Sequence, residues 1–364
     1  MNVLIDIAHS AHVHLFRNLY YELEAKKHNL FLTVKDNLST AKELLAFYKI
    51  PFMSIGQKYD SLISKALMQL TYDYKVAVLA RKNNIALGVG TSINLAHASK
   101  ITRMKSIVLD DDDDAVEPLF VKFVHPFSDS LLSPVALSNT RRKKDTIYYP
   151  GTHELAYLHP NRFSPDKNVL SEAGLEKGER YFVLRFNSFK AHHDVGIHGL
   201  SLENKRKLIS LLKPHGKIFI TTEREIDEEF KEYQIKIATH EIHSFLHYAT
   251  AFFGDSQTMT SEAAVLGTPA LKCNSFAGRL AVPNELEEKY QLCYSYLPEN
   301  FDTFLQKAQS LLEHKDIKQE WQRKRARLLN EKIDVTSFLL WFVENYPNST
   351  AEVKENPHIY KNFQ

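Results

Sequence analysis

The stretch GDSQTMTSEAAVLGTPAL, residues 254–271, decides the fold class. It follows the apolar run AFF (251–253), so it reads as strand, sharp turn, helix, Gly-x-Pro stop and second strand. Asp255 or Ser256 supplies the N-cap oxygen, Gly267 the stop, and Pro269 forbids continuation. Met259, Ala263 and Leu266 form an apolar stripe, and Glu262 lies along it. With Ser256 as the cap, Glu262 is too deep in the helix for a capping box. A carboxylate there needs a charged partner or a water-lined cleft. The helix start offers unpaired N–H groups and a partial positive charge, and Ser256, Gln257 and Thr258 add side-chain donors. That set suits a diphosphate, with Glu262 one turn further in to accept hydrogen bonds from a ribose diol. The plainer alternative is a Glu paired with a neighbouring Lys or Arg.

Outward from this stretch the same alternation recurs. YFVLRF (181–186), KIFITT (217–222), IKIA (235–238), AFFGD (251–255) and PALKC (269–273) are strand-like, with helices over 205–212 and 256–266 between them. In the first half, VLIDI (3–7), LFLTV (30–34), FMSI (52–55), IALGVG (85–90) and SIVLD (106–110) read as buried strands. Leu15, Leu19 and Leu23, with Phe16 and Tyr20, make one helix face. Strands alternating with helices predict parallel sheets covered on both faces. The segment from 141, with RRKK, Gly151, Pro160 and Pro165, carries the expected domain junction near residue 150. The expected organisation is α/β: one doubly wound, Rossmann-like domain over 1–150, and a second over 151–345 that includes C-terminal helices. A polar tail, 346–364, is expected to fray or dock. Two doubly wound domains predict an interdomain cleft at the C-terminal ends of the strands, where ligands of such sheets usually sit.

Composition narrows the function classes. The 364 residues are 44% hydrophobic and 25% charged, an ordinary globular balance, and about 150 residues per domain suggests two cores. A net charge of +2 offers no broad basic field for nucleic acid or an anionic membrane, and at most peripheral membrane association is expected. Two cysteines, Cys273 and Cys293, make no disulfide framework. The N-terminus MNVLIDIAHS lacks a signal-peptide pattern, and no apolar run approaches the roughly 18–20 residues of a membrane span. A cytoplasmic protein is expected.

The opening stretch resembles the nucleotide-sugar motif of GT-B glycosyltransferases and of non-hydrolysing UDP-N-acetylglucosamine 2-epimerases. In that motif a D/R-S-G-G-type turn precedes a helix, a Glu, a G-x-P and a strand. The resemblance implies pyrophosphate at Ser256, Gln257 and Thr258, and ribose hydroxyls on Glu262; Gln257 and Thr258 stand where the motif has glycines. More widely, the pieces DIAHSAHVHLFRNL, YPGTHELAYLHPNRFSPD, VLRFNSFKAHHDVG, the opening stretch and NELEEKYQL resemble the domain of unknown function 354, regarded as GT-B-like. AHVHLFRNL is similar to the GHV-x-P turn of GT-B transferases, whose histidine acts as general base on an acceptor hydroxyl. His12 falls on that position, without the glycine and the proline. Histidine suits the task because its ordinary pKa lies near working pH.

The other constellations are candidates around the same chemistry. His9 and His14 flank His12 and are expected to line the cleft. LDDDDDAVEP places Asp110–Asp114 at a strand end. Such a run is ordinarily a solvated loop, but in His-based GT-B enzymes a strand-end Asp orients the histidine, a part open here to Asp110 or Asp111. A D-x-D metal site is ranked third, and no metal or cofactor is expected. In RFNSFKAHHDVGIHG, Arg185, His192 and His193 are candidates for diphosphate or sugar, since the Arg fork bonds two oxygens at once. THEIHSFLHYA lacks the H-E-x-x-H zinc pattern, and His243 is placed near the nucleotide base by the GT-B analogy.

These readings predict a glycosyltransferase using a nucleotide-sugar, UDP-linked, and a saccharide or lipid-linked hydroxyl acceptor of surface-polysaccharide synthesis, the pathway being implied by the resemblance alone. His12 would deprotonate the acceptor and the Ser256 helix start would hold the departing diphosphate. A 2-epimerase on the same scaffold, a nucleotide-sugar-binding subunit without turnover, and a metal-dependent enzyme using the aspartate run are the rivals.

Overall fold

A computed structural model describes residues 1–56, 62–186, 199–221 and 226–364, with 62–67 described by backbone alone. The chain divides into two compact units. The first comprises Met1–Arg162 and Lys332–Gln364, the second Phe163–Glu331.

The first unit is built on seven parallel strands: β1 (Asn2–Ile7), β2 (Asn29–Val34), β3 (Met53–Ser54), β4 (Leu87–Gly90), β5 (Lys105–Leu109), β6 (Ser130–Pro134) and β7 (Ile147–Tyr149). Their order is β3-β2-β1-β4-β5-β6-β7. Val3, Leu4, Ile5 and Ile7 of β1 are all buried, as a central parallel strand with helices on both faces requires. The order turns back between β1 and β4, with Ile5 opposite both Leu32 and Val89. Loops leaving β1 and β4 therefore open a crevice at their C-terminal ends. At Gly90 a Cβ would come within 2.8 Å of the Asp6 carbonyl oxygen, so only glycine lets β4 close on β1 there.

The second unit carries five parallel strands: β8 (Tyr181–Arg185), β9 (Lys217–Thr221), β10 (Ala251–Gly254), β11 (Ala270–Cys273) and β12 (Cys293–Tyr296), in the order β12-β11-β10-β8-β9. Its switch point lies between β8 and β10. The helix Gln257–Leu266 leaves β10 with Ser256 as its cap, accepting from the Met259 N–H at 3.4 Å. It ends at Gly267, whose φ of 74° is left-handed. Residues 254–271 thus adopt the strand–turn–helix–strand form expected of them.

Other expectations are corrected. IKIA forms no strand; the bridge to Ile220 is made by Gln234, the residue before it, and Ile235 N–H donates to the Ile220 carbonyl at 2.9 Å before the chain turns into Thr239–Glu241. Its place beside β9 is an edge with half its side chains in solvent, so nothing drives further pairing. β6, β7 and β12 are additional strands. The division falls at 162/163, not near 150, because residues 151–162 pack as a turn and helix onto the first unit: Asn18 Nδ2 donates to the Ala156 carbonyl at 2.9 Å. The final helices return to the first unit as well. Ile333 N–H reaches the Pro150 carbonyl at 3.1 Å, Thr336 the Ala156 carbonyl at 2.7 Å, and Arg162 pairs with Asp334 at 2.7 Å. The polar tail docks there too, through buried Ile359 and Phe363. Among the described residues five aromatic rings around Phe338 (Tyr149, Trp341, Phe342, Tyr360 and Phe363) explain why a sequence stretch so polar is held.

Candidate functional site

In the first unit, His9 caps the helix Ser10–Ala25, its Nδ1 accepting from the Ala11 N–H at 3.2 Å. This start follows β1 at the switch point and brings His12, half-buried, against Thr91 from the β4 loop; Thr91 Oγ1 lies 2.7 Å from His12 Nδ1. The His9 ring stands 5.8 Å away. Burial first, then repulsion from His9 and His153, push the His12 imidazolium down to about 3 against the pull of Asp111. At neutral pH His12 is an uncharged imidazole. His14 is buried, with its ring against Tyr48 and Tyr157, because position 14 falls on the core face of the helix.

The aspartate run divides sharply. Asp110, Asp113 and Asp114 are buried rather than solvated. Arg141, the first residue of the RRKK run, is buried beside them and donates to Asp110 at 2.8 Å, to Asp114 at 2.5 Å and to the Asp110 carbonyl at 3.0 Å. His125 Nε2 adds a contact to Asp110 at 2.8 Å. Asp110 thus faces Arg141 and His125, and of the two aspartates expected to orient His12 it is Asp111 whose charge acts on the imidazole. Asp111, a third exposed, meets His153 Nδ1 at 3.1 Å. Burial would protonate Asp111, yet His153 and then His12 hold its carboxyl below the usual range. Burial likewise opposes charge on His153, and Asp111 overrides it, so the imidazolium is raised.

His153 and its neighbour Glu154 were not singled out from sequence. Both are buried, at 8% and 6% exposure, and among the described residues the buried atoms His153 Nε2, Glu154 Oε2 and the Tyr149 hydroxyl meet no hydrogen-bond partner. Burial, and then the Asp111 charge, push the Glu154 carboxyl up to about 7. The available signal was THEL, a His-Glu pair inside the otherwise apolar IYYPGTHELAYL. It went unread because the preceding charge run made β7 look like a linker.

In the second unit the helix start is built as expected. Ser256 is buried, Gln257 half-buried and Thr258 exposed. Gln257 Oε1 accepts from the buried ammonium of Lys272 on β11, whose pKa burial lowers to about 8. Glu262 is 5% exposed and lies 2.9 Å from Nε2 of His243, itself 2% exposed. The partner of this helix carboxylate is therefore a histidine from the helix Ile242–Tyr248, with the Phe163 ring edge-on to it at 6.3 Å. Arg185 ends β8, with Nη1 3.2 Å from Thr221 Oγ1. His192 and His193 lie outside the described residues. Among the described residues, no three or more His, Cys, Asp or Glu converge as a metal cage, and no helix is long and apolar enough to cross a membrane.

The comparisons bear on family and fold. The family model of protein of unknown function DUF354 matches residues 1–335. The chain belongs to this family. A curated relative, the uncharacterized protein MJ0665 of Methanocaldococcus jannaschii, is 22% identical over 294 residues, covering 75% of this chain and 82% of its own. Among solved structures, a UDP-N-acetylglucosamine 2-epimerase is similar with a TM-score of 0.64 at 14% identity, over 94% of this chain and 96% of that one. The spinosyn forosaminyltransferase SpnP gives 0.63 at 14%, over 97% of this chain and 100% of that one. At such identities the likeness is one of fold: this DUF354 chain has the GT-B-like architecture that glycosyltransferases and 2-epimerases share.

Proposed function

We propose that this DUF354 protein is a nucleotide-sugar-dependent enzyme that transfers the sugar, from a UDP-linked donor, to a hydroxyl of a saccharide or lipid-linked acceptor. The observation that carries the reading is His12: an uncharged imidazole held by Thr91 where β1 and β4 diverge, with the Asp111 carboxylate able to stabilise the proton it takes up. The acceptor hydroxyl gives its proton to His12 as its oxygen attacks the anomeric carbon. The bond from that carbon to the diphosphate breaks, and its electron pair leaves with the diphosphate. The Ser256–Thr258 helix start suits that diphosphate, since its N–H groups are fixed before charge develops there. Glu262 is assigned the ribose hydroxyls and His243 the base side, with Arg185, His192 and His193 as further donor contacts.

A second reading, 2-epimerisation of a UDP-N-acetylhexosamine, is favoured by one observation: His12, lowered, acts on His153, raised, and His153 in turn acts on Glu154, also raised, so groups with opposed proton affinities adjoin. Incubating the purified protein with UDP-sugars, with and without a mixed saccharide acceptor pool, separates the readings. Transfer yields UDP and a glycosylated product only with acceptor. Epimerisation yields a new UDP-sugar without one. UDP-sugar left intact in both arms refutes turnover and leaves a binding subunit.

A further inference from the structure

Among the described residues thirteen large apolar side chains stand exposed, and seven of them fall on three neighbouring elements of the first unit. The helix Leu62–Lys82 presents Leu70, Tyr74 and Val78 at four-residue spacing, one stripe along its outer face. The helix Ile93–Ile101 ends on exposed Ile101, and the segment from Pro118 to Phe127 presents Leu119, Phe123 and Phe127. Leu70, Tyr74 and Leu119 are 66%, 68% and 65% exposed, where a solvated helix carries polar groups. His97 makes the three elements one surface. Its Nδ1 lies 2.6 Å from the Asp73 carboxylate and its Nε2 2.8 Å from the Phe123 carbonyl, and its ring stands 5.1 Å from that of Phe127. At the other end Arg81 donates to the Ile101 carbonyl at 2.6 Å. An apolar surface of this breadth marks an interaction face.

The charges around the face select its partner. Arg81 and Lys82 close the first helix, Lys100 and Arg103 lie at the end of the second, and the Lys122 ammonium stands 5.4 Å from the Phe123 ring. The acids nearby are already engaged, Asp73 by His97, and Asp129 by Lys100 and Lys105 at 3.3 and 3.2 Å. Among the described residues Arg81, Lys82, Arg103 and Lys122 form no ion pair. The net charge of +2 for the whole chain conceals this local excess. We infer that this face seats on an anionic phospholipid bilayer, its apolar side chains entering the headgroup boundary and its cations meeting lipid phosphates. Aromatic and aliphatic side chains bordered by Lys and Arg are the composition that lies in such an interface. A second copy of the chain suits the face less, since a two-fold contact would bring the same cations toward one another. The face ends close to the His12 site: Asp111 precedes Pro118 by seven residues, and the Glu117 N–H folds back on the Asp113 carbonyl at 3.2 Å. A bilayer seated there offers the transfer reading a lipid-linked acceptor, and that last step alone rests on the reading.

Co-sedimentation of the intact chain with vesicles tests the face without any turnover. Wild type should bind equimolar phosphatidylcholine–phosphatidylglycerol vesicles at least about 10-fold more tightly than phosphatidylcholine alone, and should lose that preference at about 0.5 M salt. Leu70→Ser with Tyr74→Ser, and separately Leu119→Ser with Phe123→Ser, should each weaken binding about 10-fold or more. Lys82→Gln with Arg103→Gln should weaken binding to the anionic vesicles at least about 10-fold and leave that to phosphatidylcholine unchanged. All six positions are exposed, so the variants should melt in urea as wild type does, and any one folded pair suffices. No vesicle binding by wild type, or binding that the variants retain in full, overturns the inference. So does a wild-type dimer in solution that either apolar pair dissociates, because a second copy then covers the face. Vesicle binding by a chain that consumes no nucleotide-sugar defeats the transfer reading and leaves the face; turnover without vesicle binding does the reverse.

Discussion

Replacing Glu154 by glutamine should stabilise the first unit at alkaline pH. The buried carboxyl is raised from 4.5 to about 7. Each factor of ten in proton affinity is about 1.4 kcal/mol, so keeping its charged form inside the fold costs about 3 kcal/mol. The sign follows from the folded value lying above the unfolded one. Between about pH 4.5 and 7 the folded state binds the extra proton, so the contribution is fully present below 4.5 and is lost as pH rises through about 7. Glutamine carries no titration. At about pH 4 the difference between E154Q and wild type reports only how the amide packs, whereas by about pH 8 it should have moved by about 3 kcal/mol in favour of E154Q. Urea melts across this range are the assay. Trp341 lies in the same unit as Glu154 and Trp321 in the other, so fluorescence in a Trp321→Phe background follows the relevant unit. A difference that stays flat with pH would refute the reasoning, because Glu154 would then ionise as easily inside as outside.

Three further outcomes are expected. Alanine at either His243 or Glu262 should destabilise the second unit by about 3–5 kcal/mol, and the double variant by less than the sum, because each single change strands a buried partner; small additive losses would mean the pair is not closed. Thr91→Val should lower kcat about fivefold with KM unchanged, since it removes the contact that fixes the His12 ring, worth about 1 kcal/mol; an unaltered kcat would discharge Thr91 from the site. Cys273 and Cys293 are buried, with thiols pushed up to about 12, so a disulfide thiol reagent should titrate neither in the native chain and both after unfolding. Rapid native labelling would contradict the packing of β11 and β12.

What the sequence disclosed, and what it hid, has a physical pattern. Apolar runs bounded by turn residues announced nine of the strands, most plainly the central ones such as β1, which bury both faces and need no partner to be recognised. β6 (SLLSP), β7 (IYY) and β12 (CYSY) escaped, being short and interrupted by polar residues. IKIA misled in the opposite direction: its isoleucines have the propensity, but beside the edge strand β9 Lys236 and Ala238 face solvent, so nothing drives pairing. The helix after β10 was legible to its cap and its stop, since Ser256, Gly267 and Pro269 are local signals. The identity of the Glu262 partner was not, because His243 is 19 residues distant and only the packing of two helices brings it near. The aspartate run is the clearest case. Read alone it is a solvated loop, and what buries it is Arg141, a member of a charge run that itself read as a linker. His153 and Glu154 were hidden by the same misreading of one segment.

Nucleotide binding tests the central claim most directly. A metal-free thermal-shift series with UDP, GDP, TDP, CDP and CMP, on wild type and Glu262→Gln, needs no acceptor to be known. At 100 times its Kd a ligand stabilises the native state by ~2.7 kcal/mol, or about 5–10 °C for a unit of this size. Such a shift is expected with a single nucleoside diphosphate, UDP, together with its loss or marked weakening in Glu262→Gln. No shift with any nucleotide in a folded wild-type sample would contradict it, and would reduce Glu262 to the structural partner of His243.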